Sequence, residues 1–296
     1  MTRQTTEMAG NAASWRLLLT PAMPAAWNMA CDEALGEAVR AGRSLPVVRF
    51  FQWNPPAVSF GYSQRIAREV DVDLVRRDGI GMVRRVTGGR AVLHADEITY
   101  SVICRESDPV AAGGITATYA RISEGLATGL RACGVPADLA RASDPAAPLR
   151  AREATLPCFG STARAEVVVA ERKLIGSAQH RMRGLMIQHG SILLGPRHRD
   201  LVRYLRADGD ARERFARRLE ESTTSLAELG WPLRDVDGVV ERLAAGLADV
   251  LGITFRTIPL APDECAATER LSEEKYGADW WNFPPAKEAD NGPMAR

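Results

Sequence analysis

The chain has 296 residues, 46% of them hydrophobic and 25% charged, and its 38 Lys and Arg balance 37 Asp and Glu to a net charge of +1. That composition excludes a disordered chain. The even charge gives no electrostatic case for nucleic acid or a membrane surface as a partner. Cys31, Cys104, Cys133, Cys158 and Cys265 form no C-x-x-C pair, and the four histidines lack zinc-ligand spacing. Free thiols in a reducing compartment and no metal site are therefore expected. No apolar run is long enough to span a bilayer, and Met1 to Ser14 lacks a signal-peptide core, so the expected location is cytoplasmic.

Residues 1–13 read as a disordered lead. Trp15 to Leu19 reads as a strand, and Pro24 suits the first turn of a helix, where its missing N–H costs nothing. Trp27, Ala30, Cys31, Ala34, Leu35 and Ala38 recur at helical spacing, and Gly42 closes that helix. Val47 to Phe51 and Ala57 to Gly61 read as strands parted by an Asn54-Pro55-Pro56 turn. Asp71 to Arg77 reads as a short helix stopped by Gly79, and Met82 to Val86 as a strand running into Gly88-Gly89. A strand over Ile98 to Cys104 and a helix over Tyr119 to Ala132, closed by Gly134, follow. From Arg141 to Pro157 the pattern dissolves into Ala, Pro, Arg and Asp, which reads as a long mobile loop leading to Cys158. Glu166 to Val169 and Leu185 to Leu194 read as strands on either side of Lys173. Helices are expected over about Asp200 to Glu220, Asp235 to Leu251 and Asp263 to Tyr276, with a loose tail after Phe283. Mixed strands early and helices late place the chain in the α+β class.

Three constellations carry chemistry. In Arg84-Arg85-Val86-Thr87-Gly88-Gly89-Arg90, with His94 beyond, adjacent glycines after a strand let backbone approach a ligand. Successive N–H groups there can cradle an oxyanion beside fixed arginine charge; the plain alternative is a turn. In Cys158 with Lys173, an ammonium stabilises a thiolate and a neutral amine can take its proton, which makes the thiol an acyl acceptor. The plain alternative is a buried packing cysteine. In Lys173 with Gly176-Ser177-Ala178, followed by His189-Gly190, small residues leave room for a substrate. The plain alternative is a hairpin bearing a surface lysine.

In this order, these blocks resemble the lipoate-protein ligase and octanoyltransferase family. Arg84, Arg85, Gly88 and Gly89 match its arginine-arginine and glycine-glycine loop; Lys173, Gly176, Ser177 and Ala178 its lysine and glycine-serine-alanine; His189 and Gly190 its histidine-glycine strand. Asn28-Met29-Ala30 with Asp32-Glu33-Ala34-Leu35 resembles the first helix, and Glu274-Lys275-Tyr276-Gly277 with Trp281-Asn282 the last. Arg90 stands where ligases carry a third glycine, and Cys158-Phe159 lies fifteen residues before Lys173. Both features are similar to the cysteine-dependent octanoyltransferases that act on the glycine-cleavage H protein. The chain departs from them at Gly160-Ser161, where a Pro-Ser pair is common nearby, and at Glu171, where glycine is usual.

The resemblance implies a mixed β-sheet flanked by helices, like a biotin/lipoate ligase catalytic domain. It implies a catalytic domain over 14–255, a C-terminal helical segment over 256–283 packed on it, and a tail over 284–296. The implied activity moves an octanoyl group from acyl carrier protein, through a Cys158 thioester, to a lysine of a lipoyl-domain protein such as the H protein, with no cofactor. Cys158 and Lys173 are then catalytic. Arg85, Gly88, Gly89, Arg90, His94, Gly176, Ser177, Ala178, His189 and Gly190 are the substrate-binding candidates. Two alternatives stay open: an ATP- and Mg-dependent lipoate-protein ligase acting through lipoyl-adenylate, and a non-catalytic lipoyl- or carrier-binding protein. The arginines between Arg197 and Arg218 read as a solvated face or as a docking site for an acidic carrier.

Overall fold

A computed structural model describes residues 12–140, 165–231 and 235–284. Its largest element is a mixed eight-stranded sheet. Three strands form its middle: β2 (Val47–Phe51), β6 (Glu97–Arg105) and β10 (Leu185–Leu193). They are buried along nearly their whole length because helices cover both faces. Parallel to β2 runs β1 (Ala13–Leu19), and parallel to β1 runs the edge strand β11 (Ile253–Thr257). On the other side, β9 (Arg172–Met182), β8 (Val167–Val169) and β7 (Asp138–Leu139) continue the sheet antiparallel to β10 and to one another.

One face takes α4 (Gly114–Ala132) and α7 (Val236–Leu251). Ile122, Leu126 and Leu130 with Leu243 and Leu247 share a cluster with Trp15, Val48, Val102, Met186 and Ile192. Each such buried side chain contributes roughly 1.5–3 kcal/mol relative to exposure. The opposite face takes α1 (Ala25–Arg40), whose Cys31, Leu35 and Val39 meet Leu18, Val47, Ile103 and Ile187.

A second sheet is built from β3 (Ala57–Phe60) between β4 (Gly81–Arg84), parallel, and β5 (Val92–His94), antiparallel. Short helices α2 (Ile66–Glu69), α3 (Val72–Arg77) and α5 (Leu201–Tyr204) close a cluster around Val58, Phe60, Ile66, Val75 and Leu93. At the C-terminal end, α8 (Pro262–Leu271) runs through a π turn (Ser272–Tyr276) to α9 (Asp279–Asn282).

The α+β class and the mixed sheet with flanking helices are as expected. Several elements differ. The helix expected from Tyr119 starts at Gly114. The helix expected over Asp200 to Glu220 is split into α5 and α6 (Gly209–Ser222). Leu205 is extended, and Asp208 caps α6 by accepting the N–H of Ala211 at 2.7 Å, as a short acidic side chain does at a helix start. Lys173 lies within β9, and its residue is fully buried, so a surface lysine on a hairpin is excluded. Cys158, the expected loop from Arg141 to Pro157 and nearly all of the expected tail lie outside the described residues. Among the described residues no helix is long and apolar enough to cross a membrane.

Candidate active site

A cavity opens where the small sheet meets β9 and β10. Ser59, Val92 and His94 come from the small sheet, and Arg85 from the residue after β4. β9 supplies Gly176, Ser177 and Ala178, β10 supplies His189, Gly190 and Ser191, and Met29, Trp53 and Thr99 complete the lining. About 370 Å³ of empty space lies inside, part of it open to solvent.

Arg85 organises the glycine loop. Its buried guanidinium donates to Ser59 O (2.8 Å) and Oγ (2.7 Å), and to the carbonyls of Gly88 (3.1 Å) and Arg90 (3.0 Å). Gly89 has φ +97°, a conformation that L side chains rarely adopt. Gly88 and Gly89 are exposed and Arg90 is half-buried, all beside the cavity and outside its lining.

Two imidazoles line this space. His94 Nε2 lies 2.6 Å from Ser59 Oγ, which also accepts from Arg85. His94 Nδ1 lies 3.3 Å from Glu97 Oε1, and the ring stacks on Trp53 with centroids 4.0 Å apart. His189 Nε2 lies 2.6 Å from Thr87 Oγ1, and its Nδ1 lies 3.9 Å from Asp32 Oδ2. Burial holds His189 below the usual imidazole pKa, and Arg85 adds to this, so it is neutral near pH 7. Burial works against the Asp32 charge, but Arg49 and His189 outweigh it and hold that carboxyl below its ordinary range. Arg49 reaches Asp32 Oδ1 at 2.7 Å.

Gly190 lets the two long strands close over this space. A Cβ there would strike Ser177 Oγ and come within 2.7 Å of Gly176 O and of the Tyr100 ring.

Lys173 lies three residues before Gly176 on β9 and is not among the described lining residues. Its Nζ pairs with Glu166 Oε1 at 2.6 Å, both side chains almost wholly buried. Its carbonyl accepts from Thr224 N at 3.0 Å. Burial pushes the Cys31 thiol up to about 11 and the Cys104 and Cys133 thiols up as well, so none of these is a ready thiolate near neutral pH. Among the described residues no cluster of three or more His, Cys, Asp or Glu could hold a metal ion.

The fold thus brings Arg85, His94, Gly176, Ser177, Ala178, His189 and Gly190 around one cavity, with Gly88, Gly89 and Arg90 tied in through Arg85. The sequence reading missed Ser59, Thr87, Glu97 and Trp53, and it missed Asp32 and Glu166 as partners. Arg49 carried a signal: it is the one charged residue in the apolar strand Val47–Phe51.

The family model for the lipoyl protein ligase A/B catalytic domain matches residues 24–248, and the chain belongs to that family. It is 44% identical, over 91% of its length and 98% of the relative's, to Octanoyltransferase LipM of Kyrpidia tusciae. To the protein of that name from Symbiobacterium thermophilum it is 43% identical, over 91% and 98%. Among solved structures, a bi-partite lipoate protein ligase of Thermoplasma acidophilum superposes with a TM-score of 0.75 at 25% identity, covering 92% of this chain and 96% of that one.

Proposed function

We infer that this protein is an octanoyltransferase of protein lipoylation that works through a thioester on Cys158, with Lys173 as its charged partner. The observation that carries the reading is a fully buried lysine on the strand whose next residues, Gly176 to Ala178, line a largely apolar cavity. An octanoyl chain laid against Met29, Trp53 and Val92 gains roughly 0.8 kcal/mol for each methylene it buries. Identity of 44% with a relative bearing the octanoyltransferase name supports the same reaction here.

The Cys158 thiolate attacks the acyl carbon of the donor thioester, acyl carrier protein in this reading. The new C–S bond forms, the old one breaks, and the donor leaves as a thiolate that takes a proton from solvent. The lysine amine of a lipoyl-domain protein, such as the H protein, then attacks the enzyme thioester. A C–N bond forms, the Cys158 thiolate departs, and the surplus amine proton goes to solvent. The glycine loop beside Arg85 supplies backbone N–H groups for the oxyanion. His94 and His189, which line the cavity, orient the acyl carbonyl. No step uses a nucleotide.

The test is an intact mass after incubation with octanoyl-acyl carrier protein and no ATP. An added octanoyl group is expected, absent in Cys158→Ala. Transfer that appears only when ATP and free lipoate are supplied would replace this reading with that of a ligase.

A further inference from the structure

Glu166 returns to Lys173 across the hairpin of β8 and β9, seven residues along the chain. The carboxylate oxygen sits 2.6 Å from Nζ, with Lys173 fully buried and Glu166 4% exposed. Taking two charges out of water costs about as much as their attraction returns, so apolar residues of the same size would serve the core as well. A second observation concerns the backbone. Ala165 (φ 67°), Ala170 (φ 47°) and Glu171 (φ 63°) are non-glycine residues in the left-handed region, and they bracket Glu166 and the hairpin turn. Ala170 and Glu171 form the two-residue hairpin turn, whose geometry requires positive φ, whereas Ala165 lies directly before Glu166, where such strain helps aim a side chain. A third is the register. Val168 pairs with Lys173 but Val167 with Ile175, so β9 carries an extra residue at Leu174, a bulge that re-aims its neighbours. Glu166 is anchored besides: its carbonyl accepts from Ala140 N at 2.8 Å.

We propose that Glu166 is a positioning residue for acyl transfer, holding the Lys173 amine in place as a cation. The proposal rests on the transferase reading above. Lys173 then acts as a fixed positive charge for the anionic nucleophile and the developing oxyanion, not as a neutral base. The surplus proton of the attacking amine leaves to solvent, as the balance above requires. Charged and titratable groups on this strand and on the elements packed beside it are Arg172, His180 and Arg181 on β9, His189 on β10, the charged residues of α6, and His198, Arg199 and Glu228. Arg199 and His198 bind Thr223, which bridges to Lys173, and Glu228 pairs with Arg199 (3.0 Å) and Arg172 (3.4 Å). None of these is touched by the substitutions below.

The experiment measures ATP-free octanoyl transfer from octanoyl-acyl carrier protein to a lipoyl domain between about pH 6 and about pH 10, a range that brackets thiol and amine titration. Glu166→Gln keeps the shape and removes the charge; Glu166→Asp keeps the charge. In Glu166→Gln the buried amine loses its carboxylate partner and sheds its proton more readily. The high-pH limb of the rate should therefore fall at least about one pH unit lower, with kcat down about tenfold or more and KM little changed. Glu166→Asp should recover much of that limb, and it remains available if the glutamine variant fails to fold. A profile lowered equally at every pH, a change in KM alone, or no change would overturn the proposal. A second readout needs no substrate. The chain has only three lysines, Lys173, Lys275 and Lys287, so carbon-13 lysine NMR can follow Lys173 directly. Its titration should move to lower pH in Glu166→Gln, and an unmoved signal would overturn the proposal. If the parent transfers nothing without ATP, the transferase reading fails, while the NMR still decides the hold of Glu166 on Lys173.

Discussion

Ala170 and Glu171 make the two-residue turn between β8 and β9, both with positive φ. A turn of this kind favours Gly or Asn because a Cβ crowds the backbone in the left-handed region. Glu171 is exposed. Glu171→Gly should relieve strain, offset in part by the greater freedom glycine gives the unfolded chain, for a net gain of about 0.5–1 kcal/mol. Urea unfolding of parent and variant measures this; a lower midpoint in the variant would mean that the glutamate side chain compensates the turn. At this scale the sequence was informative wherever local composition constrains chemistry. Gly88-Gly89, Gly176-Ser177-Ala178 and His189-Gly190 stand out as small or titratable residues in strand contexts, and the fold gathers or ties all three blocks to one cavity. Partners remote in sequence left no local mark. Thr87 meets His189 across 102 residues and Ser59 meets His94 across 35. Glu166, close in sequence to Lys173, read as the polar start of a strand until the bulge and the turn brought the two together.

The C-terminal elements act on the site through β4. Asn282 Oδ1 accepts from Arg84 N at 2.8 Å, and its carbonyl accepts from Arg84 Nη2 at 2.9 Å. The Trp281 carbonyl takes Arg84 Nε at 2.8 Å, and its indole donates to Arg84 O at 2.9 Å. Arg84 immediately precedes Arg85, so this clamp fixes the strand end from which the glycine loop departs. Asn282 is 5% exposed. Asn282→Ala would leave the buried Arg84 N–H without its acceptor, a loss of roughly 1–3 kcal/mol. Thermal unfolding should show the drop, and an unchanged midpoint would mean that water or a neighbouring carbonyl takes the bond. The elements legible in the sequence were those with a complete period: β1, α1, β2, β10 and α7 present long apolar stripes or runs. The elements missed are short or polar. β5 has three residues and β7 two. β9 interrupts its apolar run with Lys173, Gly176, Ser177 and Gln179, so alternation fails there although the strand is central to the site. Leu205 and Asp208 broke a helix that charge-rich composition alone had joined.

On the scale of the whole molecule, buried imidazoles make stability depend on pH. His198 is 2% exposed, with Nε2 2.9 Å from Thr223 Oγ1 and Nδ1 3.3 Å from Gly195 O. Burial, aided by the Arg199 charge, lowers its pKa from 6.5 to about 4. The unfolded chain takes up this proton first, so the stability His198 contributes is complete above pH 6.5 and is lost as pH falls toward 4. By pH 5 the loss is on the order of 2 kcal/mol, and His189, also lowered by burial, adds in the same direction. Unfolding free energies measured at about pH 8 and about pH 5 should therefore fall more steeply in the parent than in His198→Gln, which retains hydrogen-bonding capacity without a titrating ring. Parallel slopes would mean that His198 finds an acceptor and takes its proton without cost. The location adds a functional consequence. Thr223, the partner of His198, bridges to Lys173, and Thr224 binds the Lys173 carbonyl. Protonation of His198 loosens the segment that backs the buried lysine, so acid should weaken transfer before the protein unfolds globally, and the substitution should delay that loss.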